Sequence, residues 1–150
     1  SRPLLMWLAG GAEPAIQRAA KMANGWVIAP GWTPDLVKEG IQLYRDSIAE
    51  YGREEQDMAI VLRRDAHLAP TSKAGHREAQ TLFENGYRGF SAAELSQSLV
   101  IGGPAECIEY LEEMEREGVN EVLFRCALDE REQALQTIST LGADVIPHFR

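Results

Sequence analysis

The chain has 150 residues, of which 45% are hydrophobic and 25% charged, as in an ordinary globular domain that is large enough to bury a core. Its formal net charge of −8, with no basic run, argues against nucleic acid or an anionic membrane as a partner. No apolar stretch approaches the roughly 20 residues of a membrane span. No signal peptide or metal-ligand signature is recognisable in the sequence.

The two cysteines, Cys107 and Cys126, are 19 residues apart and form no CxxC motif. This usage is typical of a reduced compartment, so we expect a cytoplasmic protein without a disulfide framework. Cys107 falls on the apolar side of a predicted helix and Cys126 ends an apolar strand, which favours buried packing for both thiols.

The first elements are a strand, a glycine turn and a helix. Residues 4–9 are apolar and predict a buried strand, Gly10 and Gly11 follow, and a helix begins near Glu13 with Pro14 in its first turn. Backbone amides at such a turn, together with the positive end of the helix, can bind an anion such as phosphate. The same sequence is also compatible with an ordinary tight turn.

Three further elements follow in alternation. A second strand is predicted over residues 25–29, and a helix begins with Thr33 as its cap and ends at Gly52. A third strand is predicted over residues 58–62. The charged residues after it, 63–67, are interpreted as a loop.

Residues 66–103 are less regular and are interpreted as an insertion between the third and fourth strands. We expect two helices in this insertion, near residues 72–85 and 91–98. A helix over 104–118 and a fourth strand over 121–126 follow. An Asp-x-x-Glu box at Asp129 predicts the last helix, with Leu135, Ile138 and Leu141 on its core side.

The alternation predicts an α/β fold in which four β/α units form parallel strands with outer helices, plus the helical insertion. We expect residues 1–150 to form a single domain. The chain can be a four-stranded doubly wound sheet, or one half of a TIM-type barrel, whose closure requires eight strands. No Gly-x-Gly-x-x-Gly motif supports dinucleotide binding.

Several stretches, in order along the chain, resemble the luciferase-like monooxygenases, the bacterial luciferase superfamily. They are Trp7-Leu8-Ala9-Gly10-Gly11, Gly25-Trp26-Val27, Ile101-Gly102-Gly103-Pro104, Gly118-Val119-Asn120-Glu121-Val122 and Leu141-Gly142-Ala143-Asp144. Two positions depart from the family pattern. Asn24 stands where the family usually has Asp, and Gly103 replaces the usual Thr or Ser. The resemblance implies the C-terminal half of the barrel, strands five to eight.

The resemblance also implies a function. Members bind FMN or a deazaflavin coenzyme and act as oxidoreductases or monooxygenases on small molecules. The turn that holds the cofactor phosphate in that family maps onto Ala9, Gly10, Gly11 and Ala12. The family's active-site histidine lies on the first four strands, so no catalytic residue is assigned here. The alternative is a non-catalytic half-barrel that assembles with itself, as a homo-oligomer, or with an N-terminal half-barrel segment.

Three residues are candidates for the substrate rim. Arg64 and Arg125 lie at or beyond the outgoing ends of strands, where barrel active sites are found. Either arginine can instead belong to a surface ion pair or a solvated loop. Trp32 can line a ligand pocket or pack on the helix that follows it.

Overall fold

The computed structural model describes residues 4–84, 99–126 and 131–150, and strands and helices alternate along them. The strands are β1 (Trp7–Ala9), β2 (Gly25–Ile28), β3 (Ala59–Leu68), β4 (Leu99–Gly102) and β5 (Glu121–Arg125). The α-helices are α1 (Glu13–Met22), α2 (Pro34–Glu50), α3 (Ser72–Glu84), α4 (Pro104–Glu117) and α5 (Arg131–Thr140). Short helical turns cover Glu55–Asp57, Leu141–Val145 and Ile146–Phe149.

The five strands form one sheet in which every observed pairing is parallel. Strand β3 is central, because it pairs with β2, β4 and β5. Both β2 and β5 pair with Val61 and Leu62, so they lie on opposite sides of β3. In a parallel sheet the carboxyl ends of the strands meet at one edge, and the loops that follow β1, β2, β3 and β5 therefore lie on the same side.

Alternate residues of β3 point to opposite faces of the sheet. Ile60, Leu62, Ala66 and Leu68 join the buried clusters formed with α1, α2 and α4, and we call this side the helix face. The other side, the opposite face, carries Val61, Arg63, Asp65 and His67 of β3, together with Leu123 and Arg125 of β5 by register. The predicted α/β fold with parallel strands and outer helices is confirmed.

Two predicted helix boundaries are confirmed by their cap geometry. The hydroxyl of Thr33 accepts a hydrogen bond from the amide of Leu36, and Pro34 opens α2. Gly118 ends α4 with a φ of +112°, in the left-handed region that glycine adopts without strain. These ends were predictable because capping depends on neighbouring residues only.

The first strand is shorter and more exposed than predicted. It covers only Trp7–Ala9, and the side chains of Leu4, Leu5 and Met6 are exposed. Within the described residues, β1 pairs with β2 alone, so its other edge is open. Residues 4–6 are apolar, as the predicted buried strand requires, but the described part of the chain does not bury them.

The third strand is longer than predicted. Residues 63–67 belong to β3, which continues to Leu68, so the prediction of a charged loop there is wrong. Residues 66–68 and 99–102 also form paired strands, which leaves residues 69–98 between them. Helix α3 confirms the first predicted helix of the insertion, whereas the second, near residues 91–98, lies outside the described residues.

The last helix turns a different side to the sheet from the one predicted. Leu135 and Ile138 are 53% and 55% exposed, while Thr137 is fully buried. The Thr137 hydroxyl accepts a hydrogen bond from the amide of Leu68 at 3.0 Å, and this bond fixes the orientation of α5. Leu141 is buried as predicted. The predicted cap residue Asp129 lies outside the described residues.

The two thiols differ in burial. Cys107 is buried as predicted, and burial raises its pKa to about 12. Cys126 is half-buried, which also raises its pKa. Among the described residues, no helix has the length and apolar character needed to cross a membrane.

Candidate functional site

The turn between β1 and α1 has exposed residues whose backbone amides form no backbone hydrogen bond within the described part of the chain. Ala12 is the N-cap of α1, with φ −81° and ψ 143°, and its methyl side chain cannot cap the helix. The Ala12 carbonyl accepts from the amides of Ala15 and Ile16. Within the described residues, no backbone acceptor bonds to the amides of Gly11 or Ala12, and both residues are exposed. The turn can therefore donate hydrogen bonds to an anion at the positive end of a ten-residue helix.

The two glycines are explained by close packing rather than by unusual dihedral angles, since neither has a positive φ. A Cβ atom on Gly10 would lie 2.5 Å from the Cβ of Ala15. A Cβ atom on Gly11 would lie 2.9 Å from Cζ2 of Trp32. The turn is thus held against its own helix on one side and against the loop after β2 on the other.

An aromatic cluster of Trp26, Trp32 and Tyr44 supports this turn. The indole nitrogen of Trp26 donates to the Gly10 carbonyl at 2.7 Å. The rings of Trp26 and Trp32 meet edge to face with centroids 5.7 Å apart. Gly40 of α2 makes room for both indoles, because a Cβ there would lie 2.3 Å from Trp32. Trp32 therefore packs on the following helix, one of its two predicted roles, and also forms a wall of the turn.

One acidic residue lies at the same helix end. Glu13 is the first residue of α1, and its carboxylate accepts from the side-chain amide of Gln17 at 3.2 Å. A carboxylate in the first turn interacts favourably with the helix dipole but repels a second anion. Among the described residues of the turn, the groups that could donate to an anion are therefore its backbone amides.

Arg64 is placed differently from the exposed rim that was predicted. It lies within β3 on the helix face and is fully buried. Its guanidinium donates to the hydroxyl of Tyr110 at 2.7 Å and to the carbonyl oxygen of Trp32 at 2.9 Å. Burial raises the pKa of Tyr110, although Arg64 opposes that rise, so the hydroxyl stays neutral. A side chain enclosed in this way has no access to a substrate.

Arg125 lies at the end of β5 on the opposite face. Its guanidinium bonds to a carboxylate oxygen of Asp65 at 2.5 Å, and Arg63 lies 3.4 Å from the other oxygen. The Asp65 side chain is almost fully buried, whereas that of Arg125 is nearly half exposed. The ion pair that was one of the two predictions for Arg125 is confirmed, and the residue still lies on the carboxyl side of the sheet.

The sequence predicts that His67 lies in a charged loop after the third strand, whereas the structure places it inside β3. His67 is buried near the carboxyl end of β3, with its Nε2 3.1 Å from a carboxylate oxygen of Glu78 in α3. The amide of Gln136 in α5 lies 3.4 Å from the same oxygen. Ala66 and Leu68, which alternate with Asp65 and His67, were the signal that the strand continues.

The predicted site residues form two groups. Ala9 ends β1, Gly10, Gly11 and Ala12 follow it in the turn, and the indole of Trp32 packs against Gly11. Among the described residues, Arg64 is linked to this group through its hydrogen bond to the carbonyl oxygen of Trp32. Arg125 belongs to a second group, since β2 and β3 separate β5 from β1.

A sequence model described as luciferase-like monooxygenase matches residues 1–121, and no curated protein matches the chain. A monooxygenase from Streptomyces bottropensis has a similar fold, with a TM-score of 0.77, 16% identity, and coverage of 97% of this chain and 48% of that one. An F420-dependent secondary alcohol dehydrogenase gives a TM-score of 0.76 and 11% identity, over 99% of this chain and 50% of that one.

A coenzyme F420-dependent tetrahydromethanopterin reductase from Methanopyrus kandleri gives a TM-score of 0.73 and 14% identity, over 96% of this chain and 50% of that one. The chain therefore spans about half the length of these relatives. They have TIM-barrel folds, so its sheet and helices are a partial barrel. With most of its length matched by the family model, the chain belongs to the luciferase-like monooxygenase family.

Proposed function

We propose that this chain is the C-terminal half of a flavin- or deazaflavin-dependent oxidoreductase or monooxygenase. In this proposal Ala9, Gly10, Gly11 and Ala12 hold the phosphate of FMN or of the deazaflavin coenzyme. The bound cofactor would supply hydride or electron transfer to a small-molecule substrate. The protein's own contribution here is to bind and orient the cofactor and to form part of the substrate rim at Arg125.

The exposed amides of Gly11 and Ala12 at the start of α1 carry this proposal. They lie at the carboxyl edge of a parallel sheet, where β/α barrels place their active sites. Family membership adds support, because two of the similar structures are named as F420-dependent enzymes. The residues present fit a phosphate group, because the turn offers donors and Trp32 gives it a fixed wall.

A second candidate function is a non-catalytic half-barrel that assembles with itself or with an N-terminal half. Exposed apolar side chains on β1 and β5 favour some form of assembly: Trp7 is 43% exposed and Leu123 is 51% exposed. Size-exclusion chromatography with light scattering separates the candidates. Self-assembly without any bound cofactor favours the second one.

The proposed phosphate turn is tested by Ala12→Asp. Because Ala12 has N-cap dihedral angles, an aspartate there would cap α1 and raise the free energy of unfolding by about 1 kcal/mol. Its carboxylate would occupy the amides and repel phosphate, so we expect FMN or deazaflavin coenzyme to bind at least about tenfold more weakly. The change therefore raises stability and lowers affinity, which general misfolding cannot do.

Ala12→Asn is the matched control, because it caps the helix without adding a charge. Binding is measured by fluorescence titration with FMN and riboflavin, and with the deazaflavin coenzyme and its phosphate-free chromophore. We expect Ala12→Asp to weaken binding of the phosphorylated member of a pair only. Equal weakening of both members, or none, would show that the phosphate binds elsewhere.

A further inference from the structure

The loop between β2 and α2 is organised around the guanidinium of Arg64. Three carbonyl oxygens of this loop accept hydrogen bonds from it: those of Ala29 at 3.4 Å, Pro30 at 3.5 Å and Trp32 at 2.9 Å. The amide of Trp32 also donates back to the Ala29 carbonyl at 3.3 Å, which closes the turn. The planar guanidinium has five N–H donors spread over three nitrogens in a fixed fork, whereas the ammonium of lysine has three donors on a single nitrogen.

The same loop forms one wall of the proposed phosphate turn. A Cβ atom added to Gly11 would lie only 2.9 Å from Cζ2 of Trp32. The ring and the turn are therefore in close contact, and the backbone of Trp32 is the point that Arg64 holds. A shift of that backbone would move the ring relative to Gly11.

The charge of Arg64 is unusual for its position. The side chain is fully buried, and its acceptors are four carbonyl oxygens and the hydroxyl of Tyr110. Within the described part of the chain, no carboxylate is within bonding distance of it. A buried cation that is bound only by neutral groups lowers the energy of an anion placed near it.

We infer that Arg64 is a positioning residue for the cofactor phosphate. It acts through the carbonyl of Trp32, which fixes the indole wall against Gly11, and it adds buried positive charge behind that wall. It does not contact the cofactor. This inference rests on the proposed function, since it requires the turn to bind phosphate.

The test compares affinities for FMN and riboflavin in the full-length protein that contains this chain, with the deazaflavin coenzyme and its phosphate-free chromophore measured in parallel. The ratio within a pair isolates the phosphate, because both members share the same ring system. We expect wild type to prefer the phosphorylated member by about tenfold or more. Arg64→Lys keeps the charge but loses the loop contacts, and we expect it to reduce this preference about threefold. Arg64→Met should remove most of it.

Tyr110→Phe is the matched control, since it removes the 2.7 Å contact of Arg64 but leaves its bonds to the loop. We expect Tyr110→Phe to lower the melting temperature while the preference stays within about twofold of wild type. An unchanged preference in Arg64→Lys, or an equal loss in Tyr110→Phe, would overturn the inference. Absence of any preference in wild type would instead refute the proposed function, and the inference with it. If Arg64→Met does not fold, the lysine variant still decides.

Discussion

The two faces of the sheet differ in what completes them. On the helix face, Leu62 and Trp26 are fully covered by α1, α2 and α4, and even the charged Arg64 has its donors bonded. On the opposite face, Leu123 is half exposed while Asp65, close by, is buried under two arginines. Among the described residues, the helix face is covered by helices of this chain, whereas the opposite face combines buried residues such as Asp65 with apolar side chains such as Leu123 that remain half exposed.

A matched pair of leucines tests this difference and has the largest expected effect. Leu62→Ala removes a fully buried side chain and should lower the free energy of unfolding by about 2–5 kcal/mol. Leu123→Ala, on the half-exposed side, should cost less than about 0.5 kcal/mol in this chain. Urea unfolding of both variants measures the two losses, and equal losses would contradict the comparison.

The comparison becomes sharper if the Leu123→Ala change is repeated in a protein that joins this chain to an N-terminal half-barrel. If the opposite face is the interior of a completed barrel, the cost should rise above about 1 kcal/mol there. Leu62→Ala serves as the internal reference, because its surroundings are complete in both contexts. An unchanged small cost for Leu123→Ala would indicate that this face stays open.

Helix α5 provides a test of intermediate size. Thr137→Val keeps the shape of a buried residue but removes the hydroxyl bonded to the amide of Leu68, and it should cost about 1–2 kcal/mol. Ile138→Thr, on the exposed side of the same helix, should change stability by less than about 0.5 kcal/mol. Thermal unfolding measures both. A larger loss for Ile138→Thr would mean that the apolar side of α5 is covered.

The smallest expected effect is at Glu106, near the start of α4. Partial burial alone would raise the pKa of its carboxyl, but hydrogen bonds from the Gly103 amide and from His76 outweigh burial and lower that pKa. Since the folded-state pKa lies below the unfolded one, the stabilisation is present above about pH 4.5 and is lost as the pH falls through the lowered value.

Because the carboxyl is well exposed, Glu106→Gln should cost less than about 0.5 kcal/mol at pH 7. The difference from wild type should vanish at low pH, where the wild-type carboxyl is also uncharged. Unfolding curves at pH 7 and pH 3 check this, and Glu109→Gln on the same helix is the control. A difference that grows at low pH would contradict the assignment.

Local signals predicted those parts of the fold that depend on neighbouring residues. Thr33 with Pro34, and Gly118 after α4, gave helix ends that the structure confirms. The glycine turn before α1 could also be predicted from the sequence, because strand, turn and helix follow one another directly. Phosphate binding at this turn stays a proposal, since free backbone amides and close packing do not identify which ligand binds.

Strand length and side-chain placement could not be predicted where they depend on residues distant in the sequence. The charged residues 63–67 suggested a loop, but pairing with β4 and β5 keeps them in β3. The two arginines looked alike in sequence, yet strand alternation directs Arg64 to the helix face and places Arg125 opposite.

The sequence by itself determined the alternation of strands and helices, their parallel order and the turn at Gly10 and Gly11. Hydrophobic periodicity and helix capping depend on neighbouring residues, so the elements that they mark can be predicted without the tertiary structure. Only the tertiary structure decided that Thr137 rather than Ile138 faces the sheet, and that Arg64 supports Trp32 from within. Burial and hydrogen bonding of those residues depend on groups 30 or more positions away, and no local pattern specifies them.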